Sequence, residues 1–207
     1  GDRSGYSVAL SSDGQRLVVG AYVNAVNGAS SGHARVFQYD GSSWNQLGAD
    51  LDGAAGDRLG INVALSGDGS GVAIGADQES QNKSGYVNLY AWDGDSWTQL
   101  GSTISGKDSD DHLTYRNGLA LSTDGLRVAI GAWLGDGAGG KTDSGYVRVY
   151  EWSGLAWAQL GADIDGEAAY DKSGHGIALS SDGQRLAIGA YDNDGNGDGS
   201  GHVRVFD

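Results

Sequence analysis

GDRSGYSVALSSDGQRLVVGA (Gly1 to Ala21) returns three times: as GDRLGINVALSGDGSGVAIGA (Gly56 to Ala76), DHLTYRNGLALSTDGLRVAIGA (Asp111 to Ala132) and YDKSGHGIALSSDGQRLAIGA (Tyr170 to Ala190). Across a loop of variable content, each copy continues into a second block: SGHARVFQYDGSSWNQLG, SGYVNLYAWDGDSWTQLG, SGYVRVYEWSGLAWAQLG and, last, SGHVRVFD. The fourth copy therefore has no Trp-bearing tail. A period of about 55 residues marks a repeat architecture in which units bury their apolar faces on their neighbours. The boundaries fall at 1–55, 56–110, 111–169 and 170–207.

Within one copy, Val8 and Leu10 alternate with small residues, Asp13-Gly14 makes a tight turn, and Leu17 to Val19 forms a short apolar run ending at Gly20. That is a strand hairpin. Val36 opens a further alternating strand reaching Asp40-Gly41, and Trp44 to Leu47 returns as a fourth. No stretch has helical periodicity. Repeated four-stranded antiparallel units with hidden edges are propeller blades, so the expected fold is an all-β propeller whose last blade lacks its outer strand. Strand one is expected next to the axis and strand four outermost.

Composition agrees with many short strands. Glycine supplies 38 of 207 residues, and Pro, Cys and Met are absent, so turns rest on Gly, Asp, Asn and Ser. Three acids are Glu (Glu79, Glu151, Glu167) and the remainder Asp. The net charge of −14 disfavours nucleic acid and anionic membrane surfaces. There is no long apolar run for membrane insertion, and the chain reads as a mature piece or fragment of something longer.

The pieces GYSVALSSDG and RLAIGA resemble the FG-GAP repeats of integrin alpha-subunit propellers. Gly5-Tyr6 stands at the Phe-Gly position, and Gly20-Ala21, Gly75-Ala76, Gly131-Ala132 and Gly189-Ala190 stand at the Gly-Ala-Pro position. The resemblance implies an extracellular or cell-surface adhesion module, commonly of seven blades, that recognises a partner through its loops and holds calcium in Asp-rich ones.

Several local signals bear on function. Asp192, Asp194, Asn196 and Asp198 bring oxygen donors at alternate positions with Gly197 between, the first half of a calcium loop; Val203 stands where a closing acid would be needed. Equivalent loops at 25–30 and 78–83 lack that set. A second acidic group recurs before strand one (Asp50, Asp52, Asp57; Asp108, Asp110, Asp111; Asp163, Asp165, Asp171) and reads as turn-forming or inter-blade hydrogen bonding. Gly135 to Thr142 spells a Walker A phosphate loop, but a strand follows where that motif needs a helix. His33 and His202 share a slot with Tyr86 and Tyr146 and read as packing residues. His112 and His175 are irregular, and no nucleophile–base constellation can be assembled around them, so the chain reads as no enzyme. The repeating Trp residues (Trp44, Trp97, Trp157 on strand four; Trp92 and Trp152 on strand three) read as packing between blades.

Trp133 breaks the pattern. It stands in the loop slot of Tyr22, Asp77 and Tyr191, and a solvent-facing Trp beside tyrosines suits stacking on a sugar or anchoring a protein partner. Asn82-Lys83-Ser84 is an N-glycosylation sequon. The expected function is an extracellular module binding protein or carbohydrate through its loops, with calcium as a cofactor. The alternative is a structural unit of an extracellular assembly that self-associates by strand exchange at the open blade.

Overall fold

A computed structural model describes residues 1–78, 81–109 and 111–207. Glu79 and Asp110, named above, lie outside the described residues. Each repeat folds into one antiparallel sheet. The first sheet comprises β1 (Ser7–Leu10), β2 (Arg16–Ala21), β3 (His33–Tyr39), β4 (Trp44–Gln46) and β5 (Leu51–Asp52). The second comprises β6 (Asn62–Leu65), β7 (Gly71–Ala76), β8 (Tyr86–Trp92), β9 (Trp97–Gln99) and β10 (Ile104–Ser105). The third holds β11 (Leu119–Leu121), β12 (Arg127–Ala132), β13 (Tyr146–Trp152), β14 (Trp157–Gln159) and β15 (Ile164–Asp165). The fourth holds β16 (Ser173–Leu179), β17 (Leu186–Ala190) and β18 (His202–Phe206).

The fourth strand expected from Trp44 to Leu47 is in fact split. β4 pairs with the outer half of β3 (Tyr39 opposite Trp44), and after Gly48 the chain rejoins the start of β3 as β5 (His33 opposite Asp52). The Leu-Gly step, with Gly48 at φ +78°, turns the chain out of the ladder between the two pieces. The same interruption recurs in the second and third sheets.

The hairpin between strands one and two is built alike in all four sheets. Ser11 Oγ donates to Asp13 Oδ1 at 2.6 Å, and the same carboxylate accepts Gln15 N–H at 2.9 Å. Ser66–Asp68, Ser122–Asp124 and Ser180–Asp182 repeat the pair. The serine hydroxyl first, then the backbone N–H, hold Asp13, Asp124 and Asp182 below the usual carboxylate range. These turns also join consecutive sheets: Ser12 N–H donates to Gly67 O, Gly67 N–H to Thr123 O and Thr123 N–H to Ser181 O, at 2.8–2.9 Å. Strand one of each sheet lies beside strand one of the next, as expected for an axial position.

The apolar core lies between sheets. Val18, Ala34, Val36 and Leu51 of the first meet Leu59, Val63, Leu65, Val72 and Ile74 of the second, and the pattern continues from second to third and third to fourth. The two outward faces of the array are open: Val8 and Leu10 are each 58 % exposed, Val203 67 % and Val205 65 %. Their counterparts inside the array, Val63, Leu65, Ala34 and Val36, are buried. This is an all-β propeller architecture with an unclosed end.

The recurrent Asp before strand one takes the turn role. Asp57 accepts Ala54 N–H and the Tyr86 hydroxyl (2.8 Å). Asp111 accepts the N–H groups of Lys107 and Asp108 and the Tyr146 hydroxyl (2.6 Å). The Tyr–Asp bond ties the loop to the start of strand three within one blade, not between blades. Burial first, and then the neighbouring carboxylate, push both phenols well above their ordinary value. Gly135 to Thr142 forms a plain connection from β12 to β13.

Candidate functional site

Residues just before strand one and just after strand two meet at one end of the inner strands. In the first and second repeats the step before strand one is a glycine with positive φ, Gly5 and Gly60 at +84° and +86°, and in the fourth the matching Gly174, at +88°, lies in the irregular start of β16. The third repeat departs from this. Thr114 occupies the glycine slot at φ +64°, and two additional residues, Tyr115 and Arg116, follow before Asn117, with Arg116 again at φ +64°. Left-handed backbone on Thr and Arg costs on the order of 1 kcal/mol or more each and persists only where surroundings fix it. Here Asn62 Nδ2 donates to the carbonyls of both Thr114 and Arg116, and Thr114 N–H donates to Gly131 O.

The insertion brings Tyr115 beside Trp133, the rings stacked at 6.1 Å with 23° between planes. Trp133 in turn meets His175 edge-on at 5.6 Å and Tyr191 at 6.4 Å, while His175 and Tyr191 lie 4.5 Å apart. Arg116 sits 5.0 Å over the Tyr115 ring and Lys172 5.2 Å over Trp133. Clefts of about 320 Å3 (Tyr6, Ser7, Ile61, Arg116, Asn117, His175) and about 400 Å3 (including His175, Tyr191 and His202) flank the cluster and share His175. Tyr6 and Tyr191 are 43 % and 45 % exposed. Burial, then Arg116, lowers the His175 pKa, so its ring is neutral at physiological pH. Burial, and next Tyr115, raises that of Tyr6; burial, and next Asp192, that of Tyr191.

Of the aromatic residues singled out from sequence, Trp133 and Tyr191 are brought together. Trp133 is half-buried, not fully solvent-facing, and its indole Nε1 is buried without a hydrogen-bond partner. Tyr22 does not join them: it is 3 % exposed, packs on Tyr6 at 4.6 Å, and lies under the guanidinium groups of Arg3 and Arg58. Tyr115 and Arg116 escaped the sequence reading, where His175 figured only as an irregular histidine and Tyr6 only at the Phe-Gly position. The signal for Tyr115 and Arg116 was the two-residue insertion in DHLTYRNGLALS, the one place where the opening block changes length.

The Asp192–Asp198 loop is spent on its own fold. Asp194 Oδ1 accepts Gly199 N–H at 2.7 Å, Asn193 bridges the Gly195 N–H and Asp171, and Asn196 and Asp198 are exposed. Among the described residues, the acidic atoms that do converge are those of Asp50 and Asp52 with His33. There Asp50 is already held by Arg35, with oxygens at 2.9 and 2.7 Å, and by Gln46. Asp194 and Asp50 thus each have oxygens already engaged within the protein. Asn82 is exposed on the β7–β8 connection.

The FG-GAP repeat family matches residues 1–37, the first repeat up to β3. No curated protein sequence matches the chain. Among solved structures, the chain is similar to a candidate 6-phosphogluconolactonase from Bacteroides uniformis, at 13 % identity and TM-score 0.61, over 91 % of this chain and 48 % of that one. It is also similar to the β-propeller domain of the Trilobed protease from Pyrococcus furiosus, which has an open velcro topology, at 7 % identity and TM-score 0.56, over 97 % of this chain and 53 % of that one. The chain thus spans about half the length of each. At these identities the likeness is one of fold. Among the described residues, no helix is long and apolar enough to cross a membrane.

Proposed function

We propose that this FG-GAP-type propeller is an extracellular recognition module that binds carbohydrate at the mouth formed by Tyr6, Tyr115, Trp133, His175 and Tyr191. The observation that carries the reading is the Tyr115-Arg116 insertion. It holds Thr114 and Arg116 in left-handed backbone and adds an aromatic ring, Tyr115, that stacks on Trp133. Strain held in place by a neighbour's side chain is a mark of a site. Half-exposed rings stack on the C–H faces of sugars, while Arg116, Asn117 and neutral His175 supply hydrogen bonds to hydroxyls. A net charge of −14 favours a neutral or cationic ligand over an anionic one. Protein loops with an exposed aromatic anchor fit the same mouth by the same physics. The extracellular placement rests on the FG-GAP resemblance.

Calcium is not invoked for this binding mode; Asp194 Oδ1 accepts Gly199 N–H and Asp50 is paired with Arg35. The test is a glycan array followed by titration of the best saccharide. Trp133→Ala and Tyr115→Ala are each expected to weaken binding at least tenfold with an unchanged melting temperature. No binding across the array, or binding indifferent to both substitutions, would overturn the reading.

A further inference from the structure

The face of the first sheet that carries His33 also carries Arg35, Asp50 and Asp52, because His33 stands opposite Asp52 in the β3–β5 ladder and residues two apart share a face. In the second and third sheets the places of His33, Asp50 and Asp52 hold Tyr86, Thr103 and Ser105, and Tyr146, Asp163 and Asp165. There the tyrosine hydroxyl donates to the Asp of the turn before strand one, Asp57 or Asp111. An imidazole is shorter than a phenol, and Asp2, at the matching place in the first repeat, instead accepts from Asn24 Nδ2 at 2.9 Å. Of the three sheets with this short strand, the first is thus the one that joins a ring nitrogen to two carboxylates.

His33 is 4 % exposed, and its Nδ1 is shut off from solvent without a hydrogen-bond partner. That nitrogen faces Asp50 Oδ2 at 3.8 Å and Asp52 Oδ1 at 3.9 Å, and the three atoms lie within 4.8 Å of one another. Such gaps are too long for hydrogen bonds and suit an ion lying between the groups. With His N and Asp O each about 2.0–2.2 Å from zinc, ligand atoms on a tetrahedral ion lie about 3.3–3.6 Å apart. The nitrogen-to-oxygen gaps exceed that by a few tenths of an ångström, a movement open to carboxylates whose side chains are 25 % and 29 % exposed. Asp50 is oriented from behind: Arg35 Nε and Nη2 donate to its two oxygens at 2.9 and 2.7 Å, and Gln46 Nε2 donates to Oδ1 at 2.7 Å. Its Oδ2 keeps a second lone pair, and two carboxylates against one guanidinium leave a net negative charge for a cation.

We propose that His33 Nδ1, Asp50 Oδ2 and Asp52 Oδ1 form a zinc-binding site, with water in a fourth position on the solvent side. An imidazole with two carboxylates suits zinc over calcium or magnesium, which take oxygen donors. The bound ion ties β5 to the first residue of β3, the pairing that the chain regains after leaving the ladder at Gly48. None of these residues belongs to the aromatic mouth, so the site stands independently of saccharide binding.

The test is calorimetric titration of the intact, chelator-treated chain with zinc. One zinc per chain is expected at micromolar affinity, with a raised melting temperature, and calcium at the same concentrations should give neither. Asp52→Asn, on the surface, should weaken zinc at least tenfold and leave the melting temperature of the metal-free protein unchanged. His33→Tyr, with the side chain that the second and third repeats carry at this place, should abolish binding; Asp52→Asn decides alone if that protein does not fold. His202→Asn should leave the affinity as it was, and a loss of binding there would put the ion elsewhere and overturn the proposal. So would the absence of saturable binding up to millimolar zinc, equal affinity in the parent and Asp52→Asn, or calcium bound as tightly as zinc.

Discussion

The second-to-third and third-to-fourth interfaces use equivalent residues and end in different states. In the first, Trp157 closes over Leu100 and Ile104, and a continuous apolar cluster runs from Ala64 to Tyr146. In the second, Ala129, Val147, Leu186 and Ile188 make a smaller cluster and a cavity of about 230 Å3 stays open between the sheets. Burial of a residue here is decided less by its own position than by whether the following blade brings an outer strand to cover it.

Making the closed interface resemble the open one is the most severe way to probe that contrast. Trp157→Ala is expected to cost about 3 kcal/mol, from the lost indole packing and the cavity it leaves. A urea midpoint within error of the parent protein would show that the tryptophan is no lock. Gly131→Ala should follow at about 1–3 kcal/mol, because its Cβ would sit 2.3 Å from the Gly174 carbonyl oxygen of the next blade. Gly189→Ala, at the matching place on the open side, meets only Gly176 O at 3.4 Å. Thermal melts should separate the two alanines clearly, and equal shifts would refute the idea that blade approach sets the difference.

The smallest expected effect concerns what the two interfaces share. Asp124 and Asp182 both have carboxyls held below their ordinary value by a serine hydroxyl and a backbone N–H. A depressed folded-state pKa contributes stability that is complete above the unfolded value of 3.8 and lost as pH falls through the folded one. Asp124→Asn and Asp182→Asn should therefore flatten the acid limb of a stability–pH curve to the same modest degree. A clearly larger effect of either would mean that the open cavity reaches as far as the inner turn.

The inner half of each blade was legible because its signals are local. Ser-x-Asp-Gly closes a hairpin by bonds spanning a few residues, and alternating Val8 and Leu10 declare one face. The split of the outer strand was not legible, since Trp44 to Leu47 reads as a continuous run and the break depends on Gly48 lying against Trp92 and Trp97 of the following blade. Trp133 was found by its departure from the repeat, whereas Tyr115 and Arg116 were obscured because an insertion shifts the alignment rather than changing a letter in it. The role of the 192–198 loop was not legible for a physical reason: residues that ligate cations also build tight turns, and only geometry shows that Asp194 serves Gly199.

The series of bonds from Ser12 to Gly67, Thr123 and Ser181 has a polarity, each turn donating forward to the next. A stack indexed in this way can lengthen by whole units at either end while keeping its phase, and two like ends cannot match. The indexing uses backbone groups at the end of the blades remote from Trp133 and Tyr115, so the variable loops are free to drift without disturbing the spacing of the array. One end of the molecule keeps the count, which leaves the other open to being rewritten.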